Sequence, residues 1–515
     1  MKTSKQKPFF LLIMFISCIT FLGGCEKINL SEVTNGEINE QFTEALQSHL
    51  LFVKDRVATI NNPTNNEAVD IPDFDLIYKS AGQVESSKNP GKDVASIFSL
   101  LGRASDVDCD VPNQNSILTF PSDHHLYTNM GLEWYYVAII LDATDSQGTE
   151  GRIGVLLSMT KQRIIGLTTQ KEFSFSDKDC MLFTNLATAT LDFPNNKKII
   201  RRSENSQLPA LRGSASFSSI GEEFHFNVGN DKLTGNIDVL PLTIEVNDGQ
   251  NLSFNFKVVP PSTIKPENAF FLQGIPSTST LAGTGYTSNP APGIYYSWPQ
   301  LKIDENFTNS ITVEGKTYTI NGGTGWMDHQ LMMQSLENSN NATNPIPFIE
   351  EVKPYDGWSW QFFNLDNGDA FTGASFQKGN LSPSIPLSYG YYIKPNTDFT
   401  KWESEYIYGD MLLKNFLGHP VVVDNPSSPL VQLPTMWEYS NLQSIGLSLS
   451  GNATPWINDG TFNSPSSQII SESPVDYIDL TGNNNNGVGF CESVGFESVE
   501  SYKSRIKDYL KNKSN

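Results

Sequence analysis

Strict alternation of apolar and polar residues is the feature that most limits the folds open to this chain. It is clearest over residues 224–228 (FHFNV) and 252–258 (LSFNFKV). A period of two places one set of side chains on a buried face and the other in water, which is typical of β-strands. From about Ser116 onward, the sequence therefore predicts an antiparallel all-β protein, either a sandwich or a barrel.

Short turns between the apolar runs support this prediction. Three turn pairs end in glycine: Asp248-Gly249, Glu314-Gly315 and Asn367-Gly368. Glycine supplies the positive φ that tight hairpins need. Each pair is therefore predicted to join two adjacent strands.

The length of 515 residues favours two or three domains. A stretch rich in Pro, Gly, Ser and Thr at 276–293 divides the alternating region into halves, and we expect a linker there. The predicted units are a first β-domain at 113–285, a second at 286–500 and a C-terminal tail or helix at 501–515.

The segment before the first β-domain, 25–112, has a different pattern. Apolar residues within 38–60 recur at helical spacing and predict an amphipathic helix, and a shorter helix is expected near 93–101. We interpret this segment as a tether with a small helical extension.

The first 24 residues are predicted to be a lipoprotein signal peptide that precedes Cys25. Three lysines are followed by an uncharged apolar run at 9–22 and then by Leu22-Gly23-Gly24-Cys25. This run is shorter than the roughly 20 residues of a membrane helix, and the small residues before a cysteine resemble the bacterial lipobox. The resemblance implies lipidation of Cys25 and a place in the cell envelope, and Glu26 in the next position favours the outer membrane.

Charge and cysteine content exclude several classes of partner and site. The formal net charge is −21 at pH 7 without a basic cluster, which argues against nucleic acid as a partner. Beyond Cys25, the cysteines that bear on folding are Cys109, Cys180 and Cys491. At most one disulfide can form among the three, and the sequence does not say which pair forms it. No paired metal-ligand spacing occurs, so we expect no metal site.

Acids, histidines and aromatic residues occur side by side in three clusters, while the usual hydrolase, zinc-protease and nucleotide motifs are absent. The clusters are FPSDHH at 120–125 with EWYY at 133–136, GWMDHQ at 325–330, and GWSWQFF at 357–363. On a strand, Glu133 and Tyr135 share one face, and Trp358 shares a face with Trp360.

Together with GVGFCESVGF at 487–496, these clusters resemble the hydroxyneurosporene synthase (carotenoid 1,2-hydratase)/AttH family. The motifs stand in the family's order over about 118–496. The resemblance implies two lipocalin-like, calycin-type β-barrel domains. This chain departs from the family at His125, Tyr127 and Tyr135, which indicates an altered or inert first-domain site, whereas the motif at 326–330 is intact.

The chemistry implied by the resemblance is protonation of a carbon–carbon double bond, which needs a strong general acid. A carboxyl group in an apolar barrel keeps its proton at neutral pH, and tryptophan faces attract a developing cation. We predict Asp328 as the acid, His329 as its partner or as the base that activates water, and Glu492 as a second carboxylate. The predicted ligand-binding residues are Trp326, Trp358, Trp360, Gln361, Glu133, Trp134, Tyr135, Asp123 and His124. No cofactor is needed for this chemistry.

Three hypotheses of function stay open from the sequence. The first is a lipid-anchored enzyme that hydrates, isomerises or cyclises an apolar alkene. The second is a carrier of a hydrophobic ligand in a barrel, and the third is a glycan-active protein with two facing carboxyl groups. The Asp–His and Glu–Trp pairs could also serve only to satisfy buried polar groups.

Overall fold

A computed structural model describes two antiparallel sheets that pack against each other. The residues it describes are 43–44, 46–47, 51, 117–128, 131–163, 181–208, 214–274, 283–287, 293–332, 357–377, 384–408, 411–415, 436–439, 449–452, 461–462, 470–481 and 485–494. Within 38–60, the five described residues are helical. The signal peptide, Cys25, the predicted helix near 93–101 and the tail at 501–515 lie outside the described residues. No helix within the described part of the chain combines the length and the apolar character needed to cross a bilayer.

The first sheet contains the strands from Leu132 to Met332. They are β1 (Leu132–Thr144), β2 (Glu150–Arg163), β3 (Met181–Phe193), β4 (Asn196–Gln207), β5 (Ala215–Phe217), β6 (His225–Val228), β7 (Asp231–Thr234), β8 (Leu242–Asp248), β9 (Leu252–Val259), β10 (Phe271–Leu272), β11 (Tyr286–Thr287), β12 (Gly293–Ile303), β13 (Ser310–Val313) and β14 (Lys316–Met332). The strand order is β4-β3-β2-β1-β14-β12-β9-β8-β7-β6-β5, with β10 and β11 paired to β12, and β13 paired to β14 and β9. Short 3-10 helices at Ser122–His124 and Pro266–Asn268 precede β1 and β10.

The second sheet contains the strands from Gly357 to Val494. They are β15 (Gly357–Leu365), β16 (Ala370–Gln377), β17 (Ser384–Pro395), β18 (Trp402–Tyr408), β19 (Met411–Asn415), β20 (Met436–Tyr439), β21 (Leu449–Asn452), β22 (Thr461–Phe462), β23 (Ile470–Asp479) and β24 (Gly487–Val494). The strand order is β18-β17-β16-β15-β24-β23-β21-β20-β19, with β22 paired to β23. Every strand pair in both sheets is antiparallel, so the predicted all-β fold is confirmed.

The sheets do not divide at the linker expected near residue 285. The long strands β12 and β14 follow that point in the chain, but β14 pairs with β1 along its length and β12 pairs with β14 and β9. The change from the first sheet to the second falls between Met332 and Gly357. The domain limits stay a prediction, but a boundary at 285/286 would cut through the first sheet.

Local sequence accounts for the strands and for their turns. The eight residues of β9 alternate buried and half-buried side chains, as their apolar–polar pattern predicted. The three turns predicted from sequence join β8 to β9, β13 to β14 and β15 to β16. Their glycines Gly249, Gly315 and Gly368 have φ of 61°, 74° and 92°, which the side chain of another L-residue would disfavour.

β1 is buried along most of its length, and β2 and β14 along about half of theirs. The second sheet covers the face of these strands that does not line the interior of the first sheet. Contact between the sheets is close at Gly154. A Cβ atom built there would lie 2.2 Å from Cγ of Pro474, so only glycine fits at this point. Arg152 also binds Asp476 on β23 with an N–O distance of 2.8 Å.

The cysteine prediction is tested at one position. Cys491 is a free thiol, buried in the second sheet. Cys109 and Cys180 lie outside the described residues.

Candidate functional site

The backbone of β14 places Asp328 and His329, the central residues of the GWMDHQ motif, on opposite faces of the sheet. Asp328 and His329 are neighbours in a strand, so their side chains leave opposite faces of the sheet. Across β1, Asp328 lies opposite Tyr136 and His329 lies opposite Tyr135. The predicted partnership of Asp328 with His329 is therefore not found, and each residue belongs to a different polar cluster.

Asp328 faces the second sheet and is 3% exposed. Its Oδ1 accepts hydrogen bonds from Ser297 and from Nε1 of Trp326, the latter at 2.6 Å, and its Oδ2 accepts one from the hydroxyl of Tyr295 at 2.9 Å. Burial raises the pKa of Asp328 to about 7, although these three donors oppose the shift, and the charge of Glu492 raises it further. Near neutral pH, this carboxyl group is therefore present in both its protonated and its ionised form.

Aromatic rings surround this carboxyl group on both sheets. Trp326 stacks on Phe362 of β15 with ring centroids 5.0 Å apart. Trp360 meets Tyr136 edge to face at 5.3 Å, and its buried Nε1 has no hydrogen-bond partner among the described residues. This arrangement offers π-faces to a cation and one free donor to a polar group.

A pair of carboxyl groups on the second sheet lies near Asp328. Glu472 and Glu492 lie directly opposite each other on β23 and β24 and hydrogen-bond to each other. The hydroxyl of Tyr136 donates to Oε2 of Glu472 at 2.8 Å across the two sheets. Burial, together with the neighbouring Glu492, raises the pKa of Glu472 well above its usual value, so this pair holds a proton. We call Asp328, Trp326, Trp360, Tyr136, Glu472 and Glu492 the intersheet site.

A cavity of about 290 Å³ opens where β10 of the first sheet meets β18 of the second. Its apolar walls are Phe270, Phe271, Leu272 and Trp402. The ring of Phe271 also contacts Trp326, with centroids 5.9 Å apart. Phe271 thus lines the cavity and also contacts Trp326, the residue that donates a hydrogen bond to Asp328.

The other face of β14 carries a buried ion-pair cluster. Oε2 of Glu133 accepts from Nζ of Lys161 at 2.9 Å, and Oε1 contacts Nε2 of His329 at 2.7 Å. Burial works against the charge of Glu133, but Lys161 and His329 outweigh it and hold its pKa below the usual value. Tyr135 stacks flat on His329, with ring centroids 4.2 Å apart.

Tyr296 extends this cluster to His124. Its hydroxyl donates to the backbone oxygen of Asp123 at 2.6 Å and contacts Nδ1 of His329 at 2.7 Å and Nδ1 of His124 at 3.1 Å. Through its two ring nitrogens, His329 thus links Tyr296 to the Glu133 carboxylate.

The predicted site residues thus fall into separate groups. Asp328, Trp326, Trp360 and Glu492 meet in the intersheet site, whereas His329, Glu133, Tyr135 and His124 meet on the inner face of the first sheet.

The remaining predicted residues lie elsewhere. Gln361 accepts from the hydroxyl of Tyr477 at 2.6 Å on the side of β15 that faces away from the first sheet. Asp123 accepts from Tyr127 and from the Thr119 backbone, and Trp134 is half-buried. Trp358 lies on β15, but its side chain is outside the described set.

Several residues of these clusters were not predicted. Three of them lie on β12 directly opposite the motif on β14: Tyr295, Tyr296 and Ser297 are opposite Gln330, His329 and Asp328. The sequence YYSW at 295–298, just after the expected linker, could have indicated these residues. Lys161 and Glu472 carried no local signal. Lys161 meets Glu133 only through the register of β1 with β2, and Glu472 meets Tyr136 across the two sheets. Within the described residues, no group of three or more His, Cys, Asp or Glu is arranged to hold a metal ion.

The fold is similar to that of a candidate AttH protein from Nitrosomonas europaea, with a TM-score of 0.51 and 15% identity, over 76% of this chain and 99% of that one. Kievitone hydratase from Nectria haematococca gives a TM-score of 0.47 and 12% identity over 77% of this chain and 98% of that one. CghA with Sch210972 gives 0.33 and 8% over 78% and 98%. No protein-family profile and no curated protein matches the chain. The predicted resemblance to AttH is confirmed at the level of fold.

Proposed function

We propose that this protein binds an apolar alkene at the intersheet site and protonates it with Asp328. The observation that carries the proposal is the buried Asp328 carboxyl group, whose pKa of about 7 keeps a proton available at neutral pH. A general acid works best when its pKa lies near the working pH. The aromatic faces of Trp326 and Trp360 stand where a carbocation needs stabilisation.

In the proposed step, the alkene π electrons form a new C–H bond with the carboxyl proton of Asp328. The O–H electrons stay on Asp328 as a carboxylate, and the positive charge passes to the adjacent carbon. Hydration follows if water adds to this carbon and gives up a proton to the Glu472–Glu492 pair. Isomerisation follows if a proton is lost from a neighbouring carbon instead, and an attack by a second double bond closes a ring.

The test is hydrogen exchange into the ligand. Ligand co-extracted from the purified protein, and the probes β-farnesene and squalene, are incubated with the protein in D₂O and analysed by mass spectrometry. We expect deuterium or the mass of added water in the ligand with the wild type, and at least a hundredfold less with Asp328→Asn, in line with the loss of a general acid. Asp231→Asn is the matched control, because Asp231 is also buried with a raised pKa of about 6 but lies on β7, far along the first sheet.

A carrier function is the second candidate, and the cavity beside Phe271 favours it. If the ligand is recovered without deuterium from the wild type and Asp328→Asn binds it equally well, the protein is a carrier and the enzyme proposal is wrong. A glycan-active function is not favoured, because Asp328 is buried and does not line an open cleft.

We also propose that the mature protein is anchored to the cell envelope through lipid on Cys25. The support is the signal-peptide pattern of residues 1–24 with small residues before the cysteine. Cell fractionation and mass measurement of the N-terminal peptide test this. We expect an acylated Cys25 in the membrane fraction, and Cys25→Ala should move the protein to the soluble fraction.

A further inference from the structure

The cavity between β10 and β18 has walls that are held in place from outside the cavity. Across the junction of the two sheets, Nε1 of Trp402 donates to the backbone oxygen of Ala269 at 2.8 Å. The ring of Phe270 packs on Phe120, with ring centroids 4.2 Å apart. These contacts fix two of the residues that line the space of about 290 Å³. The cavity is therefore formed before any ligand arrives, as is usual for small-molecule sites.

One charge in the wall of this cavity is not balanced. Lys401 and Glu267 both line the space. Nζ of Lys265 lies 3.9 Å from Oε1 of Glu267, whereas Lys401 has no carboxylate within ion-pair distance among the described residues. The chain carries a net charge of −21, yet none of its described acidic side chains neutralises this lysine. An ammonium group offers only hydrogen-bond donors and attracts an anion.

The turn that brings Lys401 to the cavity is held by Asn396. The backbone N–H of Asn396 donates to the backbone oxygen of Lys401 at 2.9 Å. Its Oδ1 accepts from the backbone N–H groups of Thr400 at 2.7 Å and of Lys401 at 3.2 Å. The backbone that carries this cation is therefore fixed beside the cavity, between β17 and β18.

The other lining groups define the rest of the ligand. The apolar walls described above suit an apolar body. Asn268 and Ser404 also line the cavity, and amide and hydroxyl groups can donate to carboxylate oxygens. A volume of about 290 Å³ is at the lower end of the range for small-molecule pockets. It fits a single ring on a short chain rather than a long isoprenoid.

We propose that this cavity is a second ligand site, which binds a small aromatic carboxylate. The ring of the ligand lies against Phe270, Phe271 and Trp402, and its carboxylate pairs with Lys401. The cavity is distinct from the intersheet site, since none of the residues that define the intersheet site lines it. The proposal does not rest on the alkene chemistry of Asp328.

Phenylacetate, phenylacetamide and phenethylamine test the proposal by calorimetric titration of the full-length protein, because they differ mainly in the charge of the head group. At low salt, we expect phenylacetate to bind about two- to fivefold more tightly than the amide, which is the effect of one solvent-accessible ion pair. The amine should bind most weakly. High salt should reduce the preference for the carboxylate, because ions screen an accessible pair.

Two lysine variants show whether Lys401 is the source of this preference. Lys401→Gln should abolish it and leave the affinity for phenylacetamide unchanged. Lys394→Gln is the matched control, because Lys394 is an exposed lysine on the neighbouring strand β17 and does not line the cavity. Asp328→Asn should also preserve the preference, whatever its effect on alkene chemistry.

A measurement on the wild type locates the ligand without relying on a variant's affinity. With ¹⁵N-labelled tryptophan, the indole N–H signal that disappears in Trp402→Phe should shift when phenylacetate is added. Equal affinities for phenylacetate and phenylacetamide, or binding of neither, overturn the proposal. A preference that survives Lys401→Gln overturns it as well. Loss of the preference in Lys394→Gln would indicate a general effect of charge, and loss in Asp328→Asn would place the carboxylate in the intersheet site, and either result contradicts the proposal.

Discussion

Asp328 and His329 are adjacent in the chain but point to opposite faces of β14. Asp328 takes its hydrogen bonds from Tyr295, Ser297 and Trp326, whereas His329 contacts Glu133 and Tyr296. None of these partners is shared. One short motif therefore supplies two polar clusters, one between the sheets and one inside the first sheet.

The stability of the protein should depend on pH through Asp328. Its pKa is about 7 in the fold and about 3.9 in an unfolded chain, so the folded state binds this proton more tightly. The stability that this group contributes is full below pH 4 and is lost as the pH rises through 7. We expect Asp328→Asn to match the wild type near pH 4 and to be more stable by about 4 kcal/mol at pH 8, at about 1.4 kcal/mol per pKa unit.

Urea unfolding at several pH values measures this difference. An Asp328→Asn variant whose stability gain is the same at pH 4 and pH 8 would show that Asp328 is not the titrating group.

The ion pair between Glu133 and Lys161 should behave as a coupled unit. Both side chains are fully buried. Lys161→Met removes the cation from this ion pair and leaves His329 as the remaining side-chain partner of the buried Glu133 carboxylate, so it should cost about 3–5 kcal/mol of unfolding free energy. Adding Glu133→Gln should recover a large part of this loss. Glu133→Gln and Asp328→Asn should instead be additive within about 0.5 kcal/mol, since they share no partners.

Double-mutant cycles from denaturant unfolding give both coupling energies. Strong coupling of Glu133 to Asp328 would contradict the separation of the two faces.

His124 should give a pH dependence of the opposite sign. Burial lowers its pKa well below the usual value, so the unfolded chain takes up a proton below about pH 6.5 that the folded protein does not. Stability is therefore lost as the pH falls below 6.5, by up to about 1.4 kcal/mol per pH unit. The slope of unfolding free energy against pH between 6.5 and 5 should be smaller in His124→Phe, and an unchanged slope would rule His124 out.

The sequence predicted the strands and the hairpins because both depend on local patterns. The alternation at 252–258 and the turn glycine Gly249 act over a few residues, and each was found where expected. The same period of two also places Asp328 and His329 on opposite faces of a strand. The sequence therefore already contained a signal against the predicted pairing of these two residues.

Other features could not be predicted, because they depend on distant strands. Tyr136 meets Glu472 although 336 positions separate them in the chain. Lys161 is buried only because β2 brings it beside Glu133, and no local pattern marks a lysine for the interior. The composition of 276–293 resembles a linker, but the strands β12 and β14 that follow it pair with β9 and β1 of the first sheet. This pairing is decided by long-range register, which local composition does not contain.

The contact between the sheets should depend on the lack of a side chain at Gly154. A Cβ atom there would lie 2.2 Å from Pro474, and overpacking of this kind costs about 1–3 kcal/mol. Gly154→Ala should lower the unfolding free energy by that amount. Gly322→Ala is the matched control, since its nearest neighbour would be Oδ2 of Asp142 at 3.9 Å. Thermal unfolding of the two variants measures the contrast, and equal midpoints would contradict the close approach of the sheets.

The hydrogen bond from Tyr136 to Glu472 should control the pH range in which the carboxyl pair acts as a base. This bond opposes the rise in the pKa of Glu472 that burial and Glu492 cause, so Tyr136→Phe should raise that pKa further. If the pair accepts the proton of the added water, the acid limb of the pH profile for water addition moves to higher pH. Tyr318→Phe is the control, because Tyr318 contacts Asn196 at 3.4 Å, away from the intersheet site. A profile that stays in place in Tyr136→Phe, with a normal rate, would show that Glu472 takes no part in the proton transfer.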